Sequence, residues 1–427
     1  KLTLKNVRIT GVTGGSGKNL VNVCSNAEVT IDKDTVLTAS GSGAAVFIGQ
    51  DGQDADAKYT LNVYGKVTQN GKSYAISGNG SYKGTTTINI YDGAEVKSAS
   101  VAIYHPQAGV TNIYGGLVEG KCAIGIKSGA LNISGGTVRG TLNDHVLGDD
   151  NSNGNGISYD GSAIIVDSRA TGYAGNVKIN VTGGTVESCY SNAIREIGND
   201  PSVTQLTELT VTGGEVLGAS QSLGNVSNDM LVRDISVKNV SVSDGTFNHE
   251  VQPDYCAIGF VPCEHDTEIG KYTVKATEGN AAYYDADGKL LGYADVDKAM
   301  VLTGVATIKL IKTATVNGVL ALQNNITLDL NGHELSAQML VGFVGTVIDS
   351  SEGEGLLKLA NKDYLTLNST NAYLPLYDTT AQGYRFFSYE FKARGIASGG
   401  DTSGDKKQFW FSIVFGGDQA YALLKNA

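Results

Sequence analysis

The sequence predicts an all-β protein whose first 275 residues coil into a parallel β-helix. Three observations carry this. A short alternating pattern recurs between residues 61 and 247: LNVYGKV (61–67), INIYDGAEV (88–96), NIYGGLV (112–118), NISGGTV (132–138), NVTGGTV (180–186), TVTGGEV (210–216) and SVSDGTF (241–247). A second element, Ala followed by Ile, comes roughly ten residues after most copies, so each period carries two phased signals. The composition agrees, with 56 Gly, 5 Pro and 21 Tyr, and few segments show helical periodicity.

Alternation is the period of a strand with one buried face. It assigns Val63, Ile90, Ile113, Ile133, Val181, Val211 and Val242 to an inward column. Asn62, Asn89, Asn112, Asn132, Asn180, Thr210 and Ser241 form the outward column beside it. A strand-rich unit of about 20–30 residues cannot bury its own apolar face, so the copies must stack. The second elements are Ala75-Ile76, Ala102-Ile103, Ala123-Ile124, Ala163-Ile164, Ala193-Ile194 and Ala257-Ile258. A leucine-rich repeat is excluded, because its Leu-rich consensus is missing.

Residues 1–56 supply two coils, LTLKNVRITG and VTIDKDTVLTAS, with Ala45–Ile48 as second element. Residues 57–140 are the most regular part, and Tyr64, Tyr91 and Tyr114 fall there in one outward column. Coils lie about 4.8 Å apart, so these rings are placed to stack beside the Asn column. The period then breaks at TLNDHVLGDDNSNGNGISYD (141–160), an inserted loop of the kind that carries function on a rigid scaffold. Further expansions occupy 167–176 and 195–206. Residues 230–275 close the helix. NAAYYDADGKLLGYA reads as a hairpin turning at Asp287-Gly288, and 301–340 as alternating strands. From 341 the strands read as a compact sheet rather than as coils.

Several of these segments occur in a familiar order: GGTV repeats, GTFNHEVQPDYCAIGFVP, KYTV, YYDADGKLLGYA, NITLDLNGHEL and YLPLYDTTAQGYRFFSYEF. The chain resembles large surface proteins of Gram-positive, often gut-associated, bacteria. The resemblance implies a right-handed, pectin-lyase-like β-helix over 1–275, a connecting β module over 276–340, and an incomplete immunoglobulin-like β-sandwich over 341–427. It also implies secretion, a cell-surface location, neighbouring domains of a longer chain, and a stalk or adhesin role. Lys1 opens directly in a strand pattern, so the natural protein is expected to continue beyond both ends.

Two surfaces are candidate sites. The tyrosines with Asn62, Asn89 and Asn112 present flat apolar rings beside amides, which suits a hydroxyl-rich glycan; the competing reading is a pair of ladders that stabilise the coil stack without any ligand, or that a loop or neighbouring domain covers. Asp149, Asn151, Asn153, Gly154, Asn155 and Asp160 imitate a calcium loop, with oxygen ligands at alternate positions and Gly at the sharp turn. Asn at the third and fifth positions and Asp at the twelfth depart from the usual loop. Ca2+ is thus the one expected cofactor, and a flexible Asn/Gly loop is the competing reading.

Of the 5 cysteines, Cys256 and Cys263 are close enough in sequence to pair as a disulfide. With His249 and His265 they also make four zinc-type ligands, though at irregular spacing. The net charge of −11 argues against nucleic acid as partner. No run of about eighteen apolar residues exists to span a membrane.

These readings favour a non-catalytic extracellular module, a rigid stalk or adhesin whose partner is a host or dietary glycan or a surface protein. The alternative is a polysaccharide lyase or glycoside hydrolase acting on acidic polysaccharides. Against it, no second acid sits one coil from Asp149-Asp150 to complete a catalytic pair, and fold alone does not assign activity.

Overall fold

The computed structural model describes residues 1–14, 18–24, 26–49, 54–142, 161–167, 175–197, 206–219, 226–232, 240–301, 303–322, 325–341, 346–351, 353–360, 373–394 and 410–415. The chain divides into two compact units, Lys1–Lys275 and Ala276–Ala427.

The first unit has the architecture of a parallel β-helix. Each coil contributes strands to three faces. The first face stacks Lys58–Val63, Thr85–Ile90, Gly109–Ile113, Ser128–Ile133 and Gly175–Val181 in parallel. The second stacks Lys66–Gln69, Glu95–Ser98, Leu117–Gly120, Thr137–Gly140 and Thr185–Ser188. The third is an 8-stranded parallel sheet running from Val21–Val23 to Met230–Leu231. In the later coils the strand Leu206–Leu217 runs through the first two faces, pairing with Gly175–Val181 and then with Thr185–Ser188.

The register places equivalent residues over one another, Asn62 over Asn89 over Asn112 over Asn132. The expected inward column is fully buried, with Val63, Ile90, Ile113, Ile133, Val181, Val211 and Val242 all at 0% exposure. The second elements Ile76, Ile103, Ile124, Ile164 and Ile194 close the core from the third face. Ile258 departs from this expectation and is 58% exposed. Its coil is the last: Tyr272–Ala276 runs antiparallel against Val240–Phe247, pairing Thr246 with Thr273 and Phe247 with Tyr272. The parallel stacking that buries the earlier second elements ends there.

The bends are made by residues that other side chains cannot replace. Gly136 has φ 71°, and a Cβ there would lie 2.5 Å from the backbone of Gly115 in the coil below. At the corner where the third face turns back to the first, His105 is 1% exposed. Its ring nitrogens meet Thr86 Oγ1 at 2.9 Å and Thr111 Oγ1 at 3.0 Å, and both threonines are also buried.

The second unit opens with the expected hairpin, Ala281–Tyr284 antiparallel to Leu290–Ala294. Asp285 Oδ1 accepts the Asp287 and Lys289 N–H groups at its turn. A smaller parallel stack follows. Thr307–Leu310, Thr327–Asp329 and Thr346–Ile348 make one face, Ala314–Thr315, Glu334–Ala337 and Leu356–Leu359 the next, and Val319–Ala321 with Met339–Val341 a third. This pairing runs across the expected boundary at 340/341, so the strands Thr346–Ile348 and Leu356–Leu359 continue the stack begun by Thr307–Leu310 and Ala314–Thr315. Its turns are held by buried carboxylates. Asp349, at 0% exposure, accepts N–H groups from Gly332, Gly353 and Gly355 at 2.7–2.9 Å. Gly383–Arg394 then pairs antiparallel with Leu356–Leu359, Tyr373–Asp378 and Trp410–Phe415. No helix among the described residues is long and apolar enough to cross a membrane.

Two predictions follow from this core. Ile113→Asp places an unpaired carboxylate where no water reaches, and should cost at least about 4 kcal/mol in urea denaturation. A soluble variant with unchanged melting would show that the register is wrong. The second concerns pH. Burial lowers the His105 pKa from 6.5 to about 4, so the unfolded chain protonates this residue first. Above 6.5 the contribution is fully present; as pH falls from 6.5 to about 4 it is lost, by about 3 kcal/mol. His105→Gln should remove that part of the slope, and equal slopes in the two proteins would contradict it.

Candidate functional site

The outward residues of the first two faces form three ladders along the stack. The first is made of amides. Asn89 Nδ2 donates to Asn62 Oδ1, Asn112 to Asn89, Asn132 to Asn112 and Asn180 to Asn132, each at 2.9 Å. Thr210 Oγ1 donates to Asn180 Oδ1 at 2.6 Å, and Asn62 Nδ2 reaches Thr30 Oγ1 at 3.5 Å. The chain of amides thus extends past the three expected residues in both directions. Each amide spends one of its two N–H groups and one lone pair on its neighbours, and keeps the other of each.

The second ladder is aromatic. Tyr64 and Tyr91 stack with ring centroids 4.2 Å apart and planes inclined by 4°. Tyr91 and Tyr114 follow at 5.3 Å and 25°. The rings lie two residues from the amides on the same face, because alternate residues of a strand point the same way. Stacking hides the inner ring faces. Tyr91 is half-buried between its neighbours, while Tyr64 is 37% and Tyr114 50% exposed. Burial, and then the neighbouring Tyr64, raises the pKa of Tyr91.

The third ladder is ionic, and the sequence reading missed it. Arg139 lies between two glutamates from adjacent coils, with its Nη1 3.1 Å from Glu119 Oε2 and its Nε 2.6 Å from Glu187 Oε1. Lys97 Nζ extends the row, 3.9 Å from Glu119 Oε1. Lys66 pairs with Glu95 in the neighbouring column. The signal was present: Glu119, Arg139 and Glu187 each stand three residues after the second glycine of their repeat. The carboxylates are committed to cations here. Lys66 holds Glu95 below the usual carboxylate range, and hydrogen bonding to Glu187 raises the pKa of Arg139. Elsewhere Lys358 lowers Glu334, and the Ala381 N–H with Arg385 lowers Asp378.

The other candidates from the sequence are the calcium-type loop and the cysteine–histidine group. The calcium-type loop, Asp149, Asn151, Asn153, Gly154, Asn155 and Asp160, lies outside the described residues. Cys256 and Cys263 are half-buried free thiols. Burial and then the proximity of Cys263 push the Cys256 thiol up to about 11. Of the two histidines considered with them, His249 Nδ1 is 3.0 Å from buried Asp229 Oδ1, and His265 packs edge-on against Tyr272. Among the described residues no group of three or more His, Cys, Asp or Glu side chains is arranged to hold a metal.

Compared with protein-family models, with curated proteins and with solved structures, the chain matches none. The ladders themselves therefore carry the functional argument.

Removing one rung tests how the amide ladder is held. Asn112→Ala strands a donor on Asn132 and an acceptor on Asn89, and should cost about 1–2 kcal/mol. Thr30→Ala removes only the long terminal contact, so its cost should be much smaller. Equal denaturation midpoints for the two variants would mean that the ladder contributes nothing beyond its strand positions.

Proposed function

We propose that this chain is a non-catalytic extracellular module, a rigid stalk or adhesin that presents a glycan-binding face on its first two strand faces. The observation that carries this reading is the pairing of an aromatic stack with a continuous amide ladder. Rings offer apolar area with polar tips, and the amides keep donors and acceptors at a regular spacing. Such a surface meets a sugar's C–H face and its hydroxyls together. The ion pairs support the non-catalytic side. The acids of the ionic ladder are held by cations, Glu119 and Glu187 by Arg139 and Glu95 by Lys66.

The sequence resemblance supports the finer parts of the reading: right-handed coiling of the pectin-lyase type, a cell-surface location, and an immunoglobulin-like character for the antiparallel strands between 373 and 415. The partner is a host or dietary glycan or a surface protein.

A glycan array read beside a reducing-sugar release assay tests this. Binding without release is expected. Release of reducing ends would replace the reading with a polysaccharide-cleaving enzyme, and an array with no bound glycan would reduce it to a plain stalk.

A further inference from the structure

Along the tyrosine column the rings stop at Tyr114. The register carries the same position to Ser134 and then to Thr182, since Ile113 pairs with Ile133 and Ile133 with Val181. The column therefore steps down from aromatic rings to small hydroxyls.

The direction of the rings matters. Tyr64 and Tyr91 belong to successive coils, and their 4.2 Å separation with nearly parallel planes is close to the coil spacing of about 4.8 Å. The ring normals thus lie near the stacking axis. Tyr114 is inclined by 25° to Tyr91, so its second face is turned roughly along that axis, toward the next coil, where the register puts Ser134 and Gly135-Gly136. Tyr114 is the most exposed ring of the three. Beside this step stands Asn132, which holds Asn112 and Asn180 and retains one N–H and one lone pair.

Resting on the glycan-binding reading above, we propose that a pyranose ring of a neutral glycan occupies the place of a fourth tyrosine. It stacks face-on against Tyr114, above Ser134 and Gly135-Gly136, with its hydroxyls edge-on to Asn132. The cation nearest in the ladders, Arg139, is committed to Glu119 and Glu187, exposed Asp92 lies against Gly115 beside Tyr114, and the chain carries a net charge of −11. A polyanionic sugar is therefore disfavoured. Equatorial glycosidic bonds leave a pyranose near its ring plane, so an equatorially linked glycan runs here in the plane of a coil, across the stacking axis instead of along it. One stacked ring gives a dissociation constant of about a millimolar.

Saturation-transfer NMR tests this with cellohexaose, xylohexaose and a galactan-derived hexasaccharide as probes. At least one should receive saturation from the unmodified chain and from Val12→Ser, a variant in the first coil. Ser134→Tyr extends the stack into the proposed place, so it should keep the melting temperature and weaken binding at least tenfold. Tyr114→Ala removes the platform and should do the same to binding, which keeps the test decisive if Ser134→Tyr does not fold. Binding that survives both substitutions overturns the inference while the glycan-binding reading stands, with its site elsewhere. Transfer to N-acetyltyrosine amide but to none of the sugars would assign the platform to an aromatic side chain of a protein partner, and overturns it. No transfer to any sugar overturns it too, and an array without hits sinks the broader reading as well.

Discussion

The structure depends on one constraint, the backbone hydrogen bonding that holds successive coils at the strand spacing of about 4.8 Å. At that spacing every residue has its own equivalents above and below as nearest neighbours. Apolar residues facing inward merge into a single core from Val23 to Val274. Amides facing outward find amides, and rings find rings. Charged residues are tolerated in a column only when their signs alternate, as from Lys97 through Glu119 and Arg139 to Glu187. Each of these exposed ion pairs contributes little by itself, about 1 kcal/mol or less. What they avoid is the repulsion of like charges held one coil apart.

The second unit meets the same constraint with different turn chemistry. Where the first unit bends through paired glycines, the second uses Asp329 and Asp349. Asp329 Oδ1 accepts the Asn331 and Ser350 N–H groups at 2.9–3.0 Å, tying consecutive coils together. A carboxylate buried this deeply is stable because so many backbone donors converge on it.

Most of the first unit was legible in the sequence, because alternation and a fixed offset from the glycines define both register and facing. The inward column and the tyrosine column could be read that way. Ile258 could not: its pattern matches the other second elements, but the reversal of the strand that follows lies outside the repeat. The strands Thr346–Ile348 and Leu356–Leu359 escaped for a related reason. At three or four residues they lack the Gly pair, and TVI and LLKL look alike in a coil or in a flat sheet. In the candidate site the offset revealed the residues but not the plane of the rings. That plane follows from the stacking itself, and it decides which face of Tyr114 is open. The ionic ladder stayed hidden because alternation of sign has meaning only once the register is known.

The direction of the hydrogen bonds also fixes how the first unit answers force. Bonds between coils point along the stack, so tension applied from end to end pulls on whole layers arranged in series. Within a layer the bonds share the strain, and the layer with the fewest bonds gives way first. The third-face strand Ile76–Ser77 has only two residues, whereas Val101–His105 and Cys122–Ile126 have five each. On the third face a layer is therefore held most lightly at Ile76–Ser77, in the coil that carries Asn62 and Tyr64, and again at Met230–Leu231.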